Sequence, residues 1–270
     1  QGRCKAFSKL ADGYVRSEGA GAVVLKSLDK AQADSDYIYA IIKSAAMNHG
    51  GNVNSLTAPN PNAQAKLIVT ACQKAAMNPN SITYIETHGT GTSLGDPIEI
   101  NGLGKAFDEL SYKFSDKLDT NYCGIGSIKS NIGHLETAAG IASVIKVVLA
   151  MQHHYLPASI HCDTVNPYIQ LDQSPFYIVK QAQEWKRKVD VNGVPQPLVA
   201  GISSFGFGGT NAHIILKEHI RDPHNSPVKP YYLIKLSARS AYALLQKQHD
   251  LLDWLSNQQN ADLSLASISY

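Results

Sequence analysis

The order of apolar and polar residues along this chain predicts strands that alternate with helices. Runs of β-branched, aliphatic and aromatic residues bounded by polar or glycine-rich positions indicate strands, and apolar residues spaced three and four apart indicate helices. Strands are predicted over residues 20–28, 37–47, 81–87, 121–130 and 197–218, the last as two strands joined by a glycine turn. Helices are predicted over 62–77, from 96 onward, and over 131–152, where alanine and glycine on several faces favour a central, buried position. The alternation predicts a mixed α/β fold.

The segment ETHGTGTSLGDPIEI, residues 86–100, places one histidine among threonines and glycines. By itself, His88 fits a solvated surface loop as well as a functional site. The residues that follow are typical of a helix start: Asp96 is predicted as the N-cap, Pro97 as the first helical residue, and Glu99 as the residue that reaches back to the cap amide. The loop would then be held between a strand end and a capped helix, which positions side chains for chemistry.

A change of composition divides the chain after residue 219. Residues 221–230, RDPHNSPVKP, are rich in proline and polar residues and are typical of a linker. Beyond them we predict a strand over 231–237 and a helix from about Ala241 to Leu255. We therefore expect one domain over residues 1–219 and the start of a small α/β linker subdomain over 220–270.

Composition and charge exclude several functional classes. The 270 residues are 44% hydrophobic and 17% charged, which is typical of a compact globular protein. The net charge is +2 and no stripe of lysine or arginine occurs, so we expect no nucleic-acid partner. The longest apolar stretch, near residues 141–151, is too short for a membrane span, and the first residues lack a signal-peptide pattern. We therefore expect a cytoplasmic protein that has no membrane partner.

Three glycine-bearing turns follow predicted strands and contain residues suited to catalysis. They are the His88 loop, KSNIGH at 129–134, and SSFGFGGTNAH at 203–213. Two neutral imidazoles can direct N–H donors at one carbonyl oxygen and stabilise an enolate or oxyanion, and a lysine beside them can bias their protonation. Each turn alone also fits an ordinary tight turn, with Lys129 at a strand end and His134 at a helix N-terminus.

Together these segments resemble the β-ketoacyl synthase family, and most closely the ketosynthase domains of modular polyketide synthases. The motifs that match are ETHGTGTSLGDPIE, GSIKSNIGHLETAAG and SSFGFGGTNAH, while ADGYVRSEGAGAVVLK and LTAPN occupy the expected places. The resemblance covers roughly residues 1–218. It implies a thiolase-like fold with a layered α-β-α-β-α architecture and two similar halves, of which this chain is the C-terminal portion. It also implies a homodimer.

The resemblance implies roles for residues in the first two motifs. His88 and His134 match the two histidines that bind the extender thioester and promote its decarboxylation. Lys129 matches the lysine that organises these histidines. Thr90 and Thr92 match the threonines that contact the phosphopantetheine arm of the substrate.

In the third motif, Phe207 matches the residue whose amide helps to form the oxyanion hole and whose ring gates the pocket, and Phe205 lies beside it. The implied reaction is a decarboxylative Claisen condensation of an acyl chain with a malonyl group. No cofactor is expected to bind directly, because the substrates are carried on the phosphopantetheine of an acyl carrier protein. The implied partners are this carrier protein, an upstream half of the synthase and a separate acyltransferase, the last because LASISY at 265–270 resembles the linker found beside such enzymes.

The chain departs from the family at the nucleophile. The family places a cysteine within TACSS upstream of the segment that resembles residues 1–20, and this chain begins after that point, so we expect it to be inactive alone. Its four cysteines lack this context and any CxxC spacing, which disfavours a metal or disulfide site and predicts packing residues; they are Cys4, Cys72, Cys123 and Cys162. Two alternatives stay open. One is a non-elongating, gatekeeping synthase, against which the presence of His88 argues. The other is a fatty-acid-type synthase, against which the C-terminal tail argues.

Overall fold

The computed structural model describes residues 2–51, 53, 58–220, 231–257 and 268. The chain divides into two compact units, Gln1–His219 and Ile220–Tyr270. In the described part of the first unit the helices are α1 (Leu28–Ala33), α2 (Pro61–Ala75), α3 (Gly95–Phe114), α4 (Lys129–Ile132) and α5 (Ala139–His153). The strands are β1 (Ile41–His49), β2 (Tyr84–Glu86), β3 (Cys123–Gly126), β4 (Tyr155–Leu156), β5 (Phe176–Ile178), β6 (Gln183–Glu184), β7 (Val199–Phe205) and β8 (Thr210–Lys217). The second unit contains α6 (Ala241–Ser256).

The main sheet of the described residues has six strands in the order β1-β8-β7-β2-β3-β5. Strands β7, β2, β3 and β5 run parallel to one another, while β8 pairs antiparallel with both β7 and β1. The last residue of β2, Glu86, pairs with Gly126 at the end of β3 and with Ile202 in β7. Because parallel strands end at the same edge of a sheet, the loops after β2, β3 and β7 meet there.

Helices cover both faces of this sheet. Helices α2 and α3 pack with one face around Ile85, Ile125 and Phe107, and α5 packs with the other face around Tyr84 and Met151. The segment therefore has a helix–sheet–helix arrangement in which each face of the sheet is buried against apolar helix residues.

Several sequence predictions are confirmed. The helix predicted over 62–77 is α2, which begins at Pro61 after Asn60. The Asn60 side chain accepts hydrogen bonds from the N–H groups of Asn62 and Ala63, the usual geometry of an N-cap. The predicted strand–turn–strand at 197–218 is β7 and β8, and the last predicted helix is α6.

Two predicted strands are absent from the described residues. Residues 20–27 are exposed and belong to no sheet, and 231–237 likewise form no strand. A strand requires a neighbour to pair its N–H and C=O groups, and an apolar pattern alone does not supply one. The linker predicted at 221–230 and most of the LASISY segment lie outside the described residues.

Two helix starts were also predicted wrongly. Helix α3 begins at Gly95 with Leu94 as its N-cap, so Asp96 lies inside the first turn, and its carboxylate accepts from distant backbone N–H groups. The helix predicted from residue 131 begins only at Ala139, because α4, Gly133 with φ +77° and a 3-10 turn precede it. Helix α5 is also not fully buried, since Leu149 is 47% exposed.

Candidate active site

The residues singled out by the sequence meet at the shared edge of β7, β2 and β3. His88 lies two residues after β2, and Lys129 is the first residue of α4, shortly after β3. Phe205 is the last residue of β7, and its ring centroid lies 5.6 Å from that of His88. The His134 ring centroid also lies 5.6 Å from His88, with the two rings nearly perpendicular at 85°. The fold thus brings both histidines together.

The His88 ring is oriented by the backbone of β7. The N–H of Phe205 donates to Nδ1 of His88 over 3.3 Å. A neutral imidazole has one N–H, so acceptance at Nδ1 places the proton on Nε2. Nε2 of His88 is therefore a hydrogen-bond donor.

The His134 ring is oriented in the same way by its own turn. The N–H of Glu136 donates to Nδ1 of His134 over 2.9 Å, which again leaves the proton on Nε2. Glu136 adopts φ +53°, in the left-handed region that non-glycine residues rarely occupy. Its N–H donates to His134 Nδ1 from this conformation. The backbone of His134 pairs with Val15 and Ser17, which fixes the position of the turn.

Both imidazoles are held neutral. Burial lowers the pKa of His88 well below its usual value, and the nearby charge of Lys129 lowers it further. The pKa of His134 is lowered by the same two causes, burial first. Loss of hydration disfavours the charged form, and a neighbouring cation does so too. The site therefore presents two neutral N–H donors, the arrangement that stabilises a developing oxyanion.

Lys129 is the buried cation of the site, with a side chain only 2% exposed. Burial lowers its pKa, while the carboxylates of Glu86 and Glu99 oppose this effect by favouring the charged ammonium. These acids favour the charged form of the lysine, and its charge adds to burial in lowering the pKa of both histidines.

Two buried carboxylates fix the His88 loop, and sequence reasoning did not assign them this function. Glu99 accepts from the N–H groups of His88, over 2.7 Å, and Gly89, over 2.8 Å. Asp96 accepts from Gly91 over 3.1 Å and from Phe7 over 2.8 Å. Burial raises the pKa of Glu99 to about 7 and that of Asp96 to about 6, against the backbone hydrogen bonds that lower both. The only feature of the sequence that marked these two acids was their spacing of three residues.

Thr90 and Thr92 lie in the same loop, half-buried. Their hydroxyl oxygens are 3.4 Å apart, and Thr92 Oγ1 accepts from the N–H of Gly95 over 3.1 Å. Thr92 therefore helps to begin α3. A contact of either hydroxyl with a substrate arm stays a prediction.

Phe207 lies in the glycine turn after β7 and its side chain is 70% exposed. Phe205 contacts His88, whereas the proposed gating function of Phe207 stays a prediction. The turn is held by His49, whose Nε2 lies 3.0 Å from the carbonyl oxygen of Gly208, and by a hydrogen bond from the N–H of Gly50 to Gly209 over 2.7 Å.

The four cysteines are buried and unpaired, as the sequence predicts for packing residues. Burial raises the pKa of each thiol, most clearly that of Cys72, to about 12, and that of Cys123. Cys4 lies close to the site, where its Sγ accepts from the N–H of Val15 over 3.2 Å. A thiol with a raised pKa is a poor nucleophile, because the thiolate is the reactive form.

Among the described residues, no group of three or more histidine, cysteine or acidic side chains is placed to hold a metal ion. None of the helices in this part of the chain is long and apolar enough to cross a membrane.

Comparison with known families gives three matches along the chain. The profile of the β-ketoacyl synthase C-terminal domain matches residues 39–163. The ketoacyl-synthetase C-terminal extension matches residues 166–269, and the β-ketoacyl synthase N-terminal domain matches residues 1–31.

Similar proteins are polyketide synthases. The chain is 49% identical over 276 residues to polyketide synthase PksN of Bacillus subtilis, covering 100% of this chain and 5% of PksN. It is 42% identical over 280 residues to polyketide synthase ThaG of Burkholderia thailandensis, covering 100% of this chain and 5% of ThaG.

Similar solved structures are ketosynthase domains. The oxazolomycin ketosynthase domain OzmH KS7 of Streptomyces albus superposes with a TM-score of 0.86 at 41% identity, over 99% of this chain and 45% of that one. The ketosynthase from module 6 of the bacillaene synthase of Bacillus subtilis superposes with a TM-score of 0.83 at 38% identity, over 100% of this chain and 44% of that one. The fold is thiolase-like, as predicted. The chain spans less than half the length of these solved chains and about a twentieth of the curated relatives.

Proposed function

This chain belongs to the β-ketoacyl synthase family, and on that premise we propose that it supplies the decarboxylation machinery of a polyketide ketosynthase. The complete synthase would join an acyl chain to a malonyl group on an acyl carrier protein. The observation that carries the proposal is the pair of neutral imidazoles, each with its Nε2–H free of the backbone bond that orients its ring.

The chemistry follows from these two donors. Both Nε2–H groups bind the thioester carbonyl oxygen of the malonyl group. The bond between the α-carbon and the carboxylate breaks, carbon dioxide leaves, and the electron pair becomes an enolate whose oxygen the two donors stabilise. The enolate carbon then attacks the acyl thioester on a cysteine of the complete synthase, and the thiolate leaves. In this proposal Lys129 carries its charge and, together with burial, favours the neutral form of both histidines.

The test is mutation of each histidine in the complete synthase that contains this chain. We expect His88→Ala and His134→Ala to lower malonyl decarboxylation roughly 100- to 1,000-fold, the usual cost of one oxyanion donor. Acylation of the synthase by a starter thioester should be largely retained, because the histidines act on the extender. Lys129→Ala should impair both steps. His153→Ala, at an exposed histidine at the end of α5, is the control and should leave both rates unchanged.

The same assays separate the alternatives. A wild-type synthase that is acylated but forms no extended product on its carrier protein would be a gatekeeping synthase. Equal loss of acylation and decarboxylation in His88→Ala would contradict the assigned division of roles. Full activity with malonyl groups on a separate fatty-acid carrier protein, and none with those on the modular carrier, would favour the fatty-acid type.

The partners follow from the same proposal. Thr90 and Thr92 would contact the phosphopantetheine arm of the acyl carrier protein as it enters the site. The synthase would act as a homodimer in the cytoplasm, and the second unit, 220–270, would begin the adaptor that follows synthase domains and would work with a separate acyltransferase. The family match to a C-terminal extension at residues 166–269 supports an adaptor in this region.

A further inference from the structure

A second group of charges lies between strand β2 and helix α5, and the proposed chemistry assigns it no substrate contact. It consists of Tyr84, Glu86 and Lys146, called here the Glu86 cluster. Oε2 of Glu86 accepts from Lys146 Nζ over 2.6 Å and from the Tyr84 hydroxyl over 2.7 Å, and Lys146 also donates to the Tyr84 hydroxyl over 2.9 Å. The Glu86 side chain is fully buried and that of Lys146 is 7% exposed. A buried ion pair is weak evidence of stabilisation, since neutral replacements often fold equally well.

The other oxygen of Glu86 contacts the turn between β3 and α4, called here the Lys129 turn. Oε1 accepts from the N–H of Ile128 over 2.6 Å, and Ile128 is the residue before Lys129. Such charge-assisted hydrogen bonds are short and strong. One carboxylate thus joins Lys146 on α5 to the backbone from which the Lys129 side chain extends.

The strand that leads to this turn fits closely against the cluster. A Cβ atom at Gly126 would lie 2.6 Å from the Tyr84 hydroxyl and 3.6 Å from Lys146 Nζ. The first distance is too short for any side chain, so only glycine lets the end of β3 approach so near. The turn after β3 is therefore positioned by the cluster on one side.

The charge of Glu86 also acts on Lys129. Burial lowers the pKa of Lys129, and among the charges that oppose this effect Glu86 is the largest. The titratable groups that surround the Lys129 ammonium are Cys4, Glu86, His88, Asp96, Glu99 and His134. Removing the negative charge at residue 86 would lower the pKa of Lys129 further.

We propose that Glu86, paired with Lys146 and Tyr84, is a positioning residue that holds the Lys129 turn in place and keeps the lysine charged. The inference rests on the function proposed above, in which charged Lys129 favours the neutral form of both histidines. Glu86 touches no substrate in this proposal and acts through the backbone of Ile128 and through its field at Lys129.

The experiment uses the complete synthase with both members of the ion pair neutralised. Glu86→Leu alone removes the acceptor of the Ile128 N–H but leaves Lys146 as an unpaired buried cation, and is expected to destabilise the fold. The double variant Glu86→Leu/Lys146→Met removes the unpaired charge, so its Tm should recover towards the wild-type value. The matched control is Glu218→Leu/Arg187→Met, which removes a pair at the opposite end of β7, where Arg187 bonds to Glu218 over 2.6 and 2.8 Å and Glu218 accepts from the N–H of Leu198.

We expect the Glu86/Lys146 double variant to lower the kcat of malonyl decarboxylation roughly 10- to 100-fold, the cost of misplacing a group by about 1 Å. Its KM should change little, because no substrate contact is removed. The alkaline limb of its pH profile should move to lower pH, as the pKa of Lys129 falls. The control pair should leave kcat and the profile unchanged. A double variant with wild-type kcat and an unmoved alkaline limb would overturn the proposal.

A second readout separates this proposal from the proposed function. The pKa of Lys129 is measured by NMR in synthase labelled with ¹⁵N-lysine, with Lys129→Arg used to assign its signal. A lower pKa of Lys129 in the Glu86/Lys146 double variant supports the proposal even if the wild-type synthase decarboxylates nothing. An unchanged pKa overturns it, whatever the outcome of the His88→Ala test.

Discussion

At the residue scale, backbone N–H groups and buried carboxylates define the candidate site. The two imidazoles are oriented by N–H donors, and the His88 loop is held by Glu99 through the N–H groups of His88 and Gly89. A carboxylate can accept several hydrogen bonds at once, and a buried N–H that loses its acceptor costs free energy. The path of the loop therefore depends on a buried acid.

Replacing Glu99 should show this dependence. We expect Glu99→Ala to lower the free energy of unfolding by about 1–3 kcal/mol for each N–H that loses its acceptor, and to reduce decarboxylation because His88 is displaced. Glu99→Gln retains one acceptor oxygen and should lose less of both. Chemical denaturation of the complete synthase and a decarboxylation assay measure the two effects. An alanine variant as stable as the wild type would contradict the role of these bonds.

The lowered pKa values of the histidines predict a pH dependence. The ordinary pKa of histidine is about 6.5, so both rings are neutral donors above that pH, and decarboxylation should decline only as the pH falls through their lowered values. The stability of the folded chain should depend on pH in the same direction. The unfolded chain takes up these protons at higher pH than the folded chain does, so the stabilisation is complete above about 6.5 and is lost as the pH falls.

Lys129 provides the test of the cause. Its charge lowers the pKa of both His88 and His134, so Lys129→Met should raise both values, with the acid limb of activity moving to higher pH. NMR titration of ¹⁵N-histidine in the synthase measures the change directly. Lys129→Arg keeps the charge and serves as the control. Identical histidine pKa values in all three proteins would rule out this electrostatic coupling.

At the scale of elements, the sequence predicted best those whose partners lie next to them in the chain. Strands β7 and β8 form a hairpin, so their alternation and the glycine turn were sufficient. Residues 20–27 have the same apolar character, yet Val24 is 99% exposed and belongs to no sheet of the described residues. A pattern of side chains predicts extended backbone, but only a partner strand makes it part of a sheet.

In the candidate site, too, some groups could be predicted from the sequence and others could not. His88, Lys129 and His134 were predicted because their side chains are part of recognisable motifs. The groups that orient the two rings are backbone N–H donors at Phe205 and Glu136, and a backbone donor leaves no mark on residue type. The contact of Glu86 with Ile128 escaped prediction for a related reason, since it joins the ends of two strands whose register the sequence does not specify.

The turn after His134 offers a prediction at this scale. Glu136 has φ +53°, a conformation that glycine adopts without strain and that β-branched residues disfavour strongly. We expect Glu136→Gly to retain decarboxylation, and Glu136→Val to strain the turn by about 1–2 kcal/mol and to lower the rate. Both variants lose the exposed ion pair with Arg16, so they control for each other. Equal rates in the two variants would show that this backbone conformation does not set the orientation of His134.

At the scale of the whole molecule, the first unit leaves apolar surface uncovered. Leu25 is 71% exposed, and an open apolar groove of about 520 Å³ runs along α5, lined by Gly21, Leu135, Ile141 and Ile145. Large exposed apolar surfaces mark contacts with other protein surfaces. The first unit therefore has the surface of a part that packs against further protein.

The buried cysteines predict the behaviour of the 270-residue chain by itself. All four thiols have raised pKa values, so none is poised for attack on a thioester. We expect no stoichiometric acylation when the chain is incubated with an acyl-pantetheine mimic and measured by intact-mass spectrometry. Addition of the upstream part of the synthase should introduce the modification, on the added protein. One acyl group on Cys4, Cys72, Cys123 or Cys162 of this chain would contradict the prediction.

The orientation of both rings by main-chain donors has a consequence for divergence among related synthases. Residue 205 can be exchanged for any residue except proline, and residue 136 for any that tolerates a left-handed backbone, without loss of the N–H that sets the tautomer. Drift at these two positions can therefore change the side chains that neighbour the two rings while proton placement is inherited unchanged. For laboratory evolution of new substrate ranges, saturation libraries at residue 205 combine wide chemical variety with an intact pair of donors.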